Sequence, residues 1–360
     1  MARSNPIPAV PAARLLAAAA LLLACVALAV GCTAQTAQSS SATSSPSSEA
    51  ATAATAAPLS VCSLKGPTTI GLAAMIADQE GSDEPYAFEM AATADEIAPK
   101  LSSGECDIAL IPANLAATLY QRTDGAIRVI DVNTLGVLYG LTADEALKAN
   151  PAPTLADLAG RTVYLTGKGT VPQYTVECLL QAAGVSDQVT LEFRTEPSEV
   201  VALIQNDPAA VGIVPQPFAT AALAQDDSLA SVFDLTALWD DTFAQAADGQ
   251  QAGRLITGVT VARTEVIEQQ PEAIARFLAA HAASAAEAAD DPAAVAPEVV
   301  DLGIMANASL AEQAIPLCNI VCLTGSDMES ALSGYLSRLF DLAPEALGGA
   351  LPGDDFYYLG

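Results

Sequence analysis

The residues Leu165-Thr166-Gly167-Lys168-Gly169-Thr170-Val171-Pro172 combine types and spacing suited to holding a small polar molecule rather than transforming it. They lie between the apolar run 162–165 and the helix-like run 174–183. Two glycines let the backbone turn tightly with its N–H groups outward, and Pro172 suits a first helical turn, where a missing donor costs nothing. A helix N-terminus carries about half a positive charge and several unpaired N–H groups, so such a unit favours an anionic or polar ligand, and Lys168 adds a full charge. It is not a Walker A loop, because Gly169 follows the lysine where Ser or Thr is required. Its bland alternative is an ordinary strand-to-helix turn with a solvated lysine.

The elements that must position this loop recur along the chain. Short apolar runs at 60–65, 86–91, 107–111, 127–132, 189–194 and 210–214 read as strands, and helical stretches follow most of them. Thr93 with Glu96 has the spacing of a capping box ahead of a helix over 93–101. A continuous helix is expected over 265–289, with His281 as a surface residue of it. Strand–helix alternation, repeated twice, predicts an α/β fold of mostly parallel sheets. In such sheets ligands sit at the carboxyl ends of strands. Four small-residue turns fall there: Gly66–Thr69, Pro112–Asn114, Thr166–Thr170 and Pro215–Pro217.

Residues 1–31 read as an export signal, with Arg3 and Arg14 before a charge-free apolar run that ends in Leu28-Ala29-Val30-Gly31-Cys32. That ending resembles a bacterial lipobox, which makes Cys32 the expected lipid (palmitate) attachment site; the alternative is an uncleaved anchor. Residues 32–58, nearly all Ala, Ser, Thr, Gln and Pro, cannot bury enough apolar surface to fold and read as a flexible tether. Removing the signal leaves 12 basic against 42 acidic residues. That balance excludes nucleic acid as a natural partner. Of seven cysteines, Cys62, Cys106, Cys178, Cys318 and Cys322 remain beyond Cys32, so at least one thiol is free. Residues 317–323 read as a strand, which would set the Cα atoms of Cys318 and Cys322 about 13 Å apart, too far for a bridge. A single histidine excludes a zinc site or a Ser-His-Asp triad elsewhere. No metal and no cofactor is expected.

The phrase Gly104-Glu105-Cys106-Asp107-Ile108-Ala109-Leu110-Ile111-Pro112-Ala113-Asn114, then Val132-Asn133-Thr134-Leu135-Gly136-Val137-Leu138-Tyr139, resembles the extracytoplasmic solute-binding proteins of ABC importers. The similarity is to the nitrate/sulfonate/taurine and thiamine-precursor type. Leu158-Ala159-Gly160-Arg161-Thr162-Val163 before the glycine loop, and Val214-Pro215-Gln216-Pro217-Phe218, follow the same pattern, over about residues 60–358. The resemblance implies a two-lobed type II periplasmic-binding-protein fold whose lobes close on ligand. It assigns 59–141 to the first lobe and first crossing, 142–257 to the second lobe, and 258–360 to the return crossing, the rest of the first lobe and carboxyl-terminal helices.

On this reading the chain is a monomeric, lipid-anchored solute-binding subunit on the outer face of a bacterial membrane. It captures a small anionic or zwitterionic solute for a permease and its ATPase, without catalysis. The alternatives are a ligand-presenting sensor and, on the same fold, a chorismate-type dehydratase, for which no acid–base pair stands in the loops. Candidate ligand contacts are Thr68, Thr69, Asn114, Thr166, Lys168, Gly169, Thr170 and Gln216, with helix capping the alternative role of each threonine. Asn133 contacts ligand or shapes the hinge, and Trp239 is a core or rim residue.

Overall fold

Among the described residues, eleven strands gather the apolar runs into two sheets. The first contains β1 (Leu59–Leu64), β2 (Tyr86–Ala91), β3 (Ile108–Pro112), β4 (Ile127–Leu135), β10 (Ile256–Arg263) and β11 (Ile320–Leu323), in the order β11-β4-β10-β3-β1-β2. The second contains β5 (Leu138–Thr142), β6 (Thr162–Leu165), β7 (Thr190–Phe193), β8 (Val211–Pro215) and β9 (Ala230–Asp234), in the order β7-β6-β8-β5-β9. These elements come from a computed structural model that describes residues 58–79, 86–243 and 253–360, all within the unit Ala56–Gly360. The signal, Cys25, Cys32 and all but the last residue of the tether lie outside the described residues.

The βα units pair in parallel, β1 with β2 and β3, and β6 with β7 and β8. Strands β5 and β10 pair antiparallel with their neighbours. Each enters its sheet from the other one, so it runs against the strands of the βα units. The sheets are therefore mixed, and the carboxyl ends of β1, β3, β6 and β8 point toward the crossing. Between β4 and β5 the chain crosses at Gly136-Val137, where a Cβ on Gly136 would overlap the Thr236 side chain and lie 2.7 Å from Leu255 Cδ2. Only glycine permits that approach.

The inner strands β3 and β8 are apolar on both faces, as helix-covered sheets require, while the edge strands β2 and β7 are partly exposed. Ile108, Ala109, Leu110 and Ile111 are each fully buried. One core cluster spans both sheets, joining Ile111, Val132 and Val259 to Leu165, Val176 and Trp239. The helix Gly325–Leu342 bridges them, burying Met328, Leu332, Tyr335, Leu336 and Leu339 on one stripe. Trp239 is a core residue: its ring packs at a tilt against Phe243 and Tyr335, and its Nε1–H donates to Gly253 O at 2.9 Å.

The structure departs from sequence expectation at several points. The helix expected over 265–289 is two, Thr264–Gln269 and Pro271–Asp290, because a residue before proline is disfavoured in the helical region. His281 is fully buried, not on the surface. Cys318 ends a 3-10 turn, Ile315–Cys318, instead of lying in a strand; Asn319 follows with φ 47°, and only Ile320–Leu323 is extended. Cys318 and Cys322 are both free thiols, as is Cys178, while Cys62 and Cys106 form a disulfide. At the expected capping box, the Glu96 carboxylate accepts from the Thr93 N–H at 3.0 Å, and the helix runs Ala94–Ser103. Among the described residues no helix is long and apolar enough to cross a membrane.

Candidate ligand-binding site

Each candidate turn follows a strand that ends toward the crossing and leads into a helix. After β1, Gly66 takes φ 135°, a conformation open to glycine, and starts the short helix Pro67–Ile70. The hydroxyls of that turn are committed to the backbone: Thr68 Oγ1 and Thr69 Oγ1 both donate to Leu64 O, at 2.9 and 2.5 Å, and Ser63 Oγ lies 2.7 Å from Thr69 Oγ1. Both threonines are buried, and they act first as closures of the strand–helix turn.

After β3, Asn114 sits in the first turn of the helix Ala113–Arg122 and is 3% exposed. Its Nδ2 donates to Gly169 O at 3.2 Å and to Ala346 O at 3.5 Å. The first contact joins the turn after β3 of the first sheet to the glycine loop after β6 of the second. Its Oδ1 is buried with no hydrogen-bond partner among the described residues. An orphaned buried acceptor costs roughly 1–3 kcal/mol, so this oxygen is suited to receive a ligand donor. Ala346 belongs to a carboxyl-terminal turn, Pro344–Leu347, that the sequence did not mark, and it also accepts from Thr118 Oγ1 at 3.1 Å.

The glycine loop is more self-contained than its sequence suggests. Gly167 and Gly169 take φ of 75° and 76°. The Gly169 N–H donates to Gln173 Oε1 at 2.8 Å, and Thr170 closes the turn with its N–H and hydroxyl both donating to Gly167 O, at 3.0 and 2.7 Å. Two N–H groups expected to face a ligand are thus bonded within the loop. Thr166 is half-buried and Lys168 is exposed, with its Nζ 5.9 Å from the Phe193 ring centroid. After β8, Gln216 is buried; its N–H donates to Val137 O at 2.9 Å across the crossing, and its Oε1 accepts from Thr220 N and Oγ1. The structure therefore brings Asn114 and Gly169 into contact, leaves Lys168 at the rim, and joins Gln216 to the crossing.

Asn133 lies at the carboxyl end of β4 and is 2% exposed. Its Oδ1 accepts from Thr134 Oγ1 at 2.8 Å, and a Cβ on Gly258 would fall 2.5 Å from that oxygen and 3.0 Å from Thr68 Cγ2. Asn133, Thr68 and the bare backbone of Gly258 thus meet beside the crossing. Tyr139, on the far side in β5, donates to Leu317 O at 3.4 Å, and burial, with Asp234 nearby, pushes its phenol up to about 12, so it remains a neutral donor.

Residues 140–295 match the family model described as NMT1/THI5 like. Among solved structures, an ABC transporter protein from Parabacteroides distasonis is similar at 22% identity and TM-score 0.68, over 84% of this chain and 98% of that one. The periplasmic aliphatic sulphonate-binding protein SsuA of Escherichia coli aligns at 15% identity and TM-score 0.62, over 82% and 92%. The alkanesulfonate-binding protein SsuA of Xanthomonas axonopodis pv. citri, bound to MOPS, aligns at 13% identity and TM-score 0.59, over 83% and 95%. No curated protein matches the chain. The structural likenesses show the fold, the two-lobed α/β arrangement of solute-binding components of ABC import systems, which is the type the sequence resembles.

Proposed function

We propose that this chain is the solute-binding subunit of an ABC-type importer, held by lipid on Cys32 at the outer face of a cell membrane, and that it carries a small anionic or zwitterionic solute to a permease without transforming it. The observation that carries the reading is Asn114. This buried amide reaches from the first sheet to the Gly169 carbonyl of the second and keeps its own oxygen unpaired, at a point where the helix Ala113–Arg122 presents its N-terminus. A solute with both donor and acceptor groups can satisfy that oxygen while its negative end meets the helix N-termini. Lys168, Thr166, Thr170, Thr68, Thr69 and Gln216 line the surrounding turns as further contacts, with Lys168 at the rim, where its charge draws an anion inward. The sulfonate ligands named for two structural neighbours support an oxyanion or related solute. The strongly acidic surface opposes an anion only weakly, because exposed charges are screened over about 8 Å at physiological salt, whereas groups in the cleft act at contact.

A thermal-shift screen over sulfonates, carboxylates, amino acids, nucleobase precursors and cations tests this. At 100 times Kd a ligand stabilises the protein by about 2.7 kcal/mol, a shift of several degrees. The shift is expected for an anion or zwitterion, and Lys168→Ala reduces it while changing the ligand-free stability by no more than about 0.5 kcal/mol. A shift confined to neutral or cationic compounds and indifferent to Lys168→Ala rejects the anionic assignment. The anchor has its own test: metabolic lipid labelling of the wild type and its loss in Cys32→Ala are expected, and an unlabelled wild type whose mature chain starts elsewhere rejects it.

A further inference from the structure

A line of buried polar side chains runs from the crossing into the first sheet. Asn133 Nδ2 donates to Thr260 Oγ1 at 3.1 Å, and Thr260 Oγ1 donates to Asp131 Oδ1 at 2.8 Å. The second oxygen of Asp131 lies 3.1 Å from His281 Nδ1, and Cys322 Sγ lies 4.0 Å from the same ring nitrogen. Asp131 and His281 are fully buried, and Cys322 is half-buried. The three come from different elements: Asp131 from β4, His281 from the helix Pro271–Asp290, and Cys322 from the neighbouring strand β11.

We propose that Asp131, His281 and Cys322 form a binding site for a transition-metal dication, zinc being the ion that fits, which ties the helix Pro271–Asp290 to strands β4 and β11. The spacing is that of ligands around one centre. All three donor atoms lie within 4.8 Å of one another. A tetrahedral zinc with ordinary bond lengths holds its N and O ligands about 3.3 Å apart and its N and S ligands about 3.6 Å apart, so the observed 3.1 and 4.0 Å need adjustments of a few tenths of an ångström. A nucleophilic relay is the wrong geometry for this trio, because a relay needs the carboxylate and the thiol on opposite ring nitrogens. Here both face Nδ1, and Nε2 is buried with no partner among the described residues.

The donor set also selects the ion. One imidazole nitrogen, one carboxylate oxygen and one thiolate suit zinc or cobalt; calcium and magnesium require mostly oxygen. A carboxylate and a thiolate neutralise the dication, which removes the cost of a bare charge in the interior. Cys322 is the most exposed of the three, so the proposed ion would enter from its side, and three protein ligands are the number that catalytic-type zinc sites complete with a water.

The test uses the full chain, freed of metal by a chelator, kept anaerobic and titrated with Co²⁺. A thiolate-to-cobalt charge-transfer band at one equivalent is expected, displaced by Zn²⁺. In Cys322→Ser, a substitution at a half-buried position, the band disappears and Co²⁺ binds at least about tenfold more weakly. A second measurement needs no variant: Zn²⁺ slows alkylation of Cys322 by iodoacetamide, read by peptide mass. Absence of the band, a band unchanged in Cys322→Ser, or alkylation at the same rate with and without Zn²⁺ overturns the site.

Discussion

Asp144 shows how one side chain organises its surroundings in the second lobe. Its Oδ1 accepts from the Leu147 N–H at 2.8 Å, capping the helix Glu145–Ala149, and its Oδ2 accepts from Arg161 Nη1 at 2.8 Å. Arg161 also donates to Asp157 O and Ala209 O, so the pair joins three segments. The Arg161 guanidinium, followed by the Leu147 N–H, holds the Asp144 carboxyl below its ordinary value of 3.8. A lowered folded value contributes stability above the unfolded value, and that stability is lost as pH falls through the folded one. Asp144→Asn is thus expected to cost about 1 kcal/mol at pH 7 in urea unfolding, with the difference from wild type shrinking below pH 4. An unchanged difference at low pH would mean that shape, not charge, carries the contact. At this scale the sequence reveals where a residue sits more readily than what it does. Thr68 and Thr69 stand in the turn that their spacing predicts, yet their hydroxyls go to Leu64 O. His281 had no sequence signal at all, because the alanine-rich helix around it is compatible with any face, and its burial depends on Asp131, 150 positions away.

Among the elements, β1 and the approach to β3 are joined by the Cys62–Cys106 disulfide, with Cα atoms 6.2 Å apart and a sequence separation of 44. Closing a loop of that length restricts the unfolded chain by about 4 kcal/mol in the entropy model. The double variant Cys62→Ala, Cys106→Ala is expected to lose about 2–4 kcal/mol in urea while keeping its circular dichroism. A loss under about 0.5 kcal/mol would show that the bridge does not form. The βα units were legible because their strands are continuous apolar runs and their turns carry Gly and Pro. The composition of five cysteines left their pairing open, since pairing depends on which strands become neighbours. Strand β9 and the helices Leu235–Phe243 and Ala308–Ala314 are too short to show a clear period, although Asp234 and Asn307 cap the two helices. The helix Gly325–Leu342 does carry a helical stripe, at Met328, Leu332, Tyr335, Leu336 and Leu339. What periodicity alone does not give is its place, bridging the two sheets.

For the whole molecule, the continuous core and the Asn114–Gly169 contact mean that the two sheets meet through both apolar packing and a hydrogen bond. Trp239, the single tryptophan, is buried against Tyr335 of the bridging helix and hydrogen-bonded to Gly253, so its emission reports any motion between the second lobe and that helix. Binding between the lobes is the central claim, and Asn114 is the side chain on which it rests most heavily. Isothermal titration of the strongest solute from the thermal screen into wild type and Asn114→Ala tests it most directly. Wild type should bind one solute per chain, and Asn114→Ala should bind at least about tenfold more weakly, a loss of about 1.4 kcal/mol. A wild type that takes up no small anion or zwitterion, or an Asn114→Ala variant with wild-type affinity, contradicts the account.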